Sequence, residues 1–323
     1  MSGSVHDVAT EVLAEALEQA RVDAVAELRR ILAAELVESA RRLMEQDRPD
    51  ARTPERCPPP AATDPAPAGR GWYVYGLTWE QVARNLSGRK GIAGSVVEAL
   101  PVGPVAAVGG WVDVAACRWG ADGADADVEA LAPRLHEHEQ VLEAVLDAGP
   151  VLPMKFGRVY QHLDGLEESL RRDGEAIGAA LRRLEGRAEW GLTLEWDPAA
   201  AGSLEEAGPD GPPGGYLARR RTEICRTGAA ERAAREEAGR VHASLSRLAD
   251  GEVLHPVRSR KAASRPAVLR ASYLVAHRDA DAFRRAAAEA LASAPDALRM
   301  TGEITGPWPP YNFSELDGRG VPA

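Results

Sequence analysis

The sequence predicts an α+β protein: two successive units of βαββαβ order, preceded by a long helix and a proline-rich linker. Three observations predict it. Strand and helix patterns recur in the same order across residues 72–186 and 187–304. Prolines inside the strand patterns fall in the fourth strand of the first unit (Pro153) and the second strand of the second (Pro256). Those are the edges of such a sheet, where a missing N–H faces solvent and not a ladder partner. Finally, 323 residues suffice for about two domains, and 45% apolar with 27% charged residues supports a buried core.

Residues 1–46 are the first element. Leu13, Leu17, Ala20, Ala24, Leu28, Leu32, Leu36, Ser39 and Leu43 step by three or four, which predicts one amphipathic helix about 65 Å long. It would fold back onto the protein, self-associate with a second copy, or serve another protein as a handle. Residues 47–71 hold seven prolines, including Pro58-Pro59-Pro60, and read as an extended linker.

The first unit, residues 72–186, opens with a strand over Trp72–Leu77 and a short helix over 79–87. Alternation puts Tyr73 on one sheet face and Trp72 with Val74 on the other. Ser95–Leu100 and Val105–Val108 form a hairpin around Pro101-Val102-Gly103-Pro104. A helix starts near Pro133, a first-turn proline, and stops at Gly149-Pro150. Its inner face carries Leu135, His138, Leu142 and Val145. Val151–Met154 is the fourth strand, and residues 162–185 are one closing helix. The second unit, residues 187–304, has strands at Glu189–Trp196, Val253–Val257, Ala267–Ala276 and Ala297–Ile304. Its helices cover residues 216–249 and Ala280–Ala294, with a Gly/Pro loop at 197–215 and a Pro/aromatic tail at 305–323. This order is ferredoxin-like in both units. They share a topology and no visible sequence repeat.

Charge and motifs narrow the function. A net charge of -10 argues against a protein built around nucleic acid. No window approaches 18 uncharged apolar residues, so no transmembrane helix is predicted. The opening residues have no secretory pattern, and Cys57, Cys117 and Cys225 are too few and too scattered for a disulfide framework or a zinc site. A cytoplasmic chain without a metal or cofactor follows as the expectation. The run His136-Glu137-His138-Glu139 invites a metal, but residues two apart on a helix point about 200° apart, and ligands need a spacing of three or four. His138 instead falls on the apolar face, as a hydrogen-bonded core histidine. No nucleophile elbow or phosphate-cradling loop is present, so the expectation is not an enzyme. One basic stretch stands out: Arg219–Arg270 holds 13 Lys+Arg against six Asp+Glu. Arg258, Arg260, Lys261, Arg265 and Arg270 surround its hairpin. The adjoining strand lacks the aromatic stacking pattern of RNA-binding sheets, which favours a solvated face or a site for an acidic protein.

Five stretches carry a resemblance. They are Trp72-Tyr73-Val74-Tyr75-Gly76; Val151-Leu152-Pro153-Met154-Lys155-Phe156-Gly157-Arg158-Val159-Tyr160; Glu189-Trp190-Gly191-Leu192; Gly214-Gly215-Tyr216-Leu217-Ala218-Arg219-Arg220; and Thr305-Gly306-Pro307-Trp308-Pro309-Pro310-Tyr311-Asn312-Phe313. In this order, across residues 72–313, they resemble the gas vesicle protein family GvpF/GvpL. Lys155 stands where the family has Arg as often as Lys, Arg158 stands where a Thr is usual, and residues 1–71 lie outside the likeness. The resemblance implies two ferredoxin-like α+β domains and no catalytic residues. It implies a minor, accessory protein of the gas vesicle that assists shell assembly. Its partners would be the major shell protein and other accessory proteins, with a chaperone-like part in nucleation. GvpF-like and GvpL-like signatures overlap and are not separated here.

A shell subunit must turn an apolar face to gas, so before assembly it is prone to aggregate. The sequence offers a partner the sheet edges, the N-terminal helix, the basic residues Arg258, Arg260 and Lys261, and the tail aromatics Trp308, Tyr311 and Phe313. For the tail, packing back on the two units as a clasp is the favoured expectation, because buried aromatics stabilise strongly. Two rival classes make distinct demands. A monooxygenase-like enzyme with paired ferredoxin-like domains needs a polar-lined pocket with shifted pKa values. An RNA-binding module needs a steeply salt-dependent affinity.

Overall fold

The computed structural model describes residues 69–114, 128–199, 215–257 and 265–316. The predicted N-terminal helix, the linker up to residue 68, and Arg258, Arg260 and Lys261 lie outside the described residues. What is described is an α+β structure with two antiparallel sheets.

The first sheet has the order β2-β3-β1-β4. Strand β1, Arg70–Trp79, pairs with β3, Val105–Asp113, and β3 pairs with β2, Glu98–Val102. β1 takes in Arg70 and Gly71, which the sequence reading gave to the linker. A bulge between Val74 and Gly76 resets the alternation. Tyr73 and Tyr75 therefore face one apolar cluster, while Trp72, Val74 and Leu77 share the other. At the crossing of the central strands, a Cβ on Gly109 would lie 2.5 Å from the Tyr73 carbonyl oxygen and 2.1 Å from the Trp72 indole nitrogen. Only glycine lets the strands approach there.

The fourth strand is split. β4 is only Leu152–Pro153, paired to Gly76 and Leu77. The chain turns at Gly157 (φ 89°) and returns as β5, Val159–Tyr160, against Trp72 and Tyr73. From Pro153 to Val159 the edge advances six residues against three on β1, so it is made of two pieces with a loop between them instead of one run over Val151–Met154. Helix α1 is Glu80–Arg84, and helix α2 is Val128–Ala148. Pro133 thus lies inside α2 and not in its first turn; it forgoes one backbone bond near the start. The closing helix breaks at Asp173 into α3, Leu163–Arg172, and α4, Gly174–Leu184. Its stripe Leu166, Leu170, Ile177, Leu181 and Leu184 is buried as the period predicts.

The second sheet has the order β7-β8-β6-β9. Its strands are β6, Arg187–Glu195; β7, Gly251–Leu254; β8, Ala267–Ala276; and β9, Thr301–Trp308. Helices α5, Gly215–Ser246, and α6, Ala280–Ala292, cover one face, over a core of Trp190, Tyr273 and Phe283. Several sequence boundaries move, two of them at prolines or turns. β7 ends before Pro256, so that proline follows the strand. β9 starts four residues later than Ala297, because residues 296–298 form a 3-10 turn and Arg299 takes a left-handed conformation (φ 42°). It consequently absorbs Thr305–Trp308, the start of the predicted tail. Prolines fall in three of the edge strands, Pro101 in β2, Pro153 in β4 and Pro307 in β9, and Pro256 lies two residues beyond β7; β5 has none.

The halves meet along an apolar seam. Ala188 of β6 joins the cluster of Tyr73 and Tyr75, and Leu274 of β8 joins that of Trp72 and Leu77. Phe313 and Leu316, beyond β9, complete the second cluster.

Candidate functional site

The chemistry concentrates where the segment after β9 crosses that seam. Helix α2 presents His138 on its inner face, fully buried among aromatic rings. Tyr75, Tyr73 and Phe156 stand 5.6, 5.7 and 5.6 Å from it, centroid to centroid. Tyr73 Oη lies 2.9 Å from His138 Nδ1, and Tyr311 Oη 3.3 Å from Nε2. The Gly157 N–H donates to Tyr73 Oη (3.1 Å), and Tyr311 Oη donates to Glu139 Oε1 (2.7 Å).

Gly157 N–H can only donate, so Tyr73 accepts it. A neutral imidazole meets Tyr73 at Nδ1 and Tyr311 at Nε2, donating through whichever nitrogen carries its hydrogen, and Tyr311 donates to Glu139. The imidazole is neutral because burial pushes its pKa down to about 3, a shift partly opposed by the backbone of Met154. Glu139 moves the other way. Burial lifts its pKa to about 7, the Tyr311 hydrogen bond opposes the rise, and the charge of Glu143 adds to it. Burial, then the nearby Glu139, holds the Tyr311 phenol well above its usual range.

A second knot lies beside the first. Glu189 of β6 is 6% exposed. Its carboxylate accepts the Asn312 backbone N–H (2.9 Å) and the Asn312 side-chain amide (2.6 Å). Asn312 also reaches Ser272 Oγ (3.2 Å), which lies 2.9 Å from His255 Nε2. Burial raises the Glu189 pKa, against the Asn312 and Ser272 bonds and the His255 charge. Arg183 of α4 donates to the carbonyls of Phe313 (2.8 Å) and Glu315 (3.1 Å). Tyr311–Leu316 is therefore a strap, tied to α2 and α4 of the first half and to β6 and β8 of the second.

The predicted residues sort as follows. Tyr73, Phe156, Gly157 and Tyr311 converge at His138; Tyr75 stacks there and accepts the Ile92 N–H (2.7 Å). Gly76, Leu152 and Pro153 form the β1–β4 contact, and Lys155 is exposed. Gly306, Pro307 and Trp308 belong to β9; Pro309 and Pro310 are buried and lead into the strap. Phe313 is half-buried in the seam. Tyr216, Leu217 and Arg220 fall in the first turns of α5, away from the strap in sequence and topology. Sequence reasoning missed Glu189, Ser272 and Asn312 as a set. The available signal was an acidic residue inside an otherwise apolar strand pattern, together with an asparagine in the terminal motif.

Two surface clefts flank the second sheet. One, of about 640 Å3, is bounded by Trp190, Arg284, Arg285 and Pro307. The other, of about 570 Å3, runs past Arg182, Arg183, Arg187 and Phe313. His138, Glu139 and Glu189 line neither. Among the described residues no group of three His, Cys, Asp or Glu could hold a metal ion. Nor is any described helix long and apolar enough to cross a membrane.

Comparison with known proteins gives a consistent answer. Residues 71–315 match the family model described as gas vesicle synthesis protein GvpL/GvpF. Gas vesicle protein L of a Streptomyces species is 30% identical over 264 residues, covering 76% of this chain and 92% of that one. Gas vesicle protein F2 of Halobacterium salinarum is 29% identical over 195 residues, covering 59% and 70%. The crystal structure of GvpF from an Anabaena species superposes with a TM-score of 0.58 at 16% identity, covering 76% of this chain and 97% of that one. That of Microcystis aeruginosa GvpF gives 0.56 at 17%, covering 76% and 99%. At such identities the two structures speak for the fold.

Proposed function

The chain belongs to the gas vesicle GvpL/GvpF family, and from that premise we propose that it is a non-enzymatic accessory factor in assembly of the gas vesicle shell. The family match over residues 71–315 carries the reading, because it spans both sheets and the strap. In this reading the chain binds the major shell protein and other accessory proteins during nucleation. It covers apolar surface that would otherwise aggregate. Each half acts as a ferredoxin-like unit, a view supported by the shared strand order, second-third-first-fourth, in both sheets.

Structure weights the candidate surfaces differently from sequence. Prolines in β2, β4 and β9 interrupt the row of free N–H groups that an added strand would need. Strand addition is therefore the weaker mode of contact. Tyr311 and Phe313 make intramolecular contacts, which supports the clasp role for the tail. The basic residues Arg258, Arg260 and Lys261, which lie outside the described residues, are the ones we assign to an acidic face of a partner. An enzymatic reading is disfavoured by the separation of the shifted acids and bases from both clefts.

Deletion and complementation in a gas-vesicle-forming host tests this. The readout is buoyancy and light scattering that collapses under pressure. Loss of vesicles is expected, restored by the intact chain and restored poorly by the Arg258→Glu, Arg260→Glu, Lys261→Glu variant. Normal vesicles in a host lacking every member of the family would overturn the assembly role. Full rescue by the charge-reversed variant would remove these three residues from it.

A further inference from the structure

The cleft of about 640 Å3 lies between α6 and β9, an outer strand of the second sheet. Its floor is apolar, made of Trp190, Ile304 and Pro307. Its helix wall is basic. Asp281, Arg284, Arg285 and Ala288 are spaced about one turn apart along one face of α6. Arg284 stands 3.8 Å from Asp281, and Arg285 is exposed with no ion-pair partner among the described residues. Pro307 offers no N–H, so β9 is ill suited to take an added strand there. An apolar trough with a cationic rim, closed to strand addition, suits the side chains of an amphipathic helix with an acidic flank.

The chain itself carries such a segment. Residues 4–20 hold Asp7, Glu11, Glu15 and Glu18 and no Lys or Arg. In helical register those acids fall along one side, and Leu13, Leu17 and Ala20 along another. Residues 47–68 tether the segment to the start of the first sheet. At about 3.1 Å per residue these 22 residues reach roughly 68 Å. The longest described element, α5, spans roughly 48 Å. Reach therefore does not choose the seat; surface chemistry does. Both faces of the first sheet are already packed with helices. In the other cleft Arg183 holds the strap carbonyls and Arg187 holds Asp250. A tether raises the local concentration of the segment to about the millimolar range, so modest affinity suffices to fill the groove.

We propose that residues 4–24 dock as a helix in the α6–β9 groove of their own chain, with Leu13 and Leu17 on Trp190 and Ile304 and the acidic side toward Arg284 and Arg285. Docked there, the segment competes internally with any partner helix that would take the same groove. The inference stands apart from the assembly reading and needs no partner to be observed.

Zero-length cross-linking of the full chain tests it. Arg285→Lys keeps the charge at an exposed position and supplies the amine that a carbodiimide joins to a carboxylate. An unchanged thermal melt by circular dichroism verifies that each variant is folded. The expected product joins residue 285 to one of Asp7, Glu11, Glu15 and Glu18, in a yield that holds over a roughly tenfold dilution. Leu13→Asp with Leu17→Asp should lower that yield at least about fivefold, because the apolar stripe seats the segment. The link from residue 285 to Asp281, one turn back on α6, is the internal standard. Formation of that link without one to residues 7–18 would overturn the docking. Products that join only isotopically different chains in a mixed sample would overturn it too, since they put a second copy's segment in the groove. A yield unchanged by the two leucine substitutions would do the same.

Discussion

Replacing Tyr73 with phenylalanine breaks the relay at its first link and keeps the ring. The hydroxyl serves two partners, the Gly157 N–H at 3.1 Å and His138 Nδ1 at 2.9 Å. Gly157 is exposed, so its N–H can turn to water at little cost. His138 has no such exit, because it is fully buried. Its Nδ1 is left without a partner, a loss of about 1–3 kcal/mol. For a chain of this size that lowers Tm by roughly 2–10 °C. Urea unfolding at pH 7, followed by circular dichroism, should show a lower midpoint with an unchanged slope. A cycle with Tyr311→Phe should give a coupling above about 0.5 kcal/mol, since both phenols act on one imidazole. A loss under about 0.5 kcal/mol in the single variant would refute the view that Tyr73 satisfies His138. Additivity in the cycle would refute transmission through the ring.

Other outcomes follow from the same geometry. Glu139 binds its proton more tightly folded than unfolded, so its contribution is full below pH 4.5 and is lost as pH rises to about 7. The unmodified chain should therefore lose up to about 3 kcal/mol relative to Glu139→Gln across that window in paired urea titrations; a constant difference would count against the assignment. Asn312→Ala removes the amide donor that Glu189 shares with Ser272 and should cost about 1–3 kcal/mol, read as a lower urea midpoint. Phe283→Ala empties a fully buried site between Trp190 and Tyr273 and should cost about 3–5 kcal/mol by the same assay.

Much of the fold was legible in the sequence because it is local. The apolar stripe from Leu166 to Leu184 appears where the helical period places it, and Ala267–Ala276 is a strand over the predicted residues. His138 sits inside, as its place on an apolar helix face implied. Proline and glycine marked the edges and turns, since both act through their own backbone. The family motifs, too, are strings of neighbouring residues.

What sequence could not supply is what distant segments do to one another. The bulge after Val74, which sends Leu77 to the face of Trp72, depends on register against β3. The split of the fourth strand depends on its register against β1, and the late start of β9 on a 3-10 turn at 296–298. Above all, Glu139 and Tyr311 are 172 positions apart, and Glu189 and Asn312 are 123. Each is an ordinary polar residue in its own neighbourhood. Only tertiary packing removes the water around them and makes them a shared lock, because desolvation belongs to the folded surroundings and not to any local pattern.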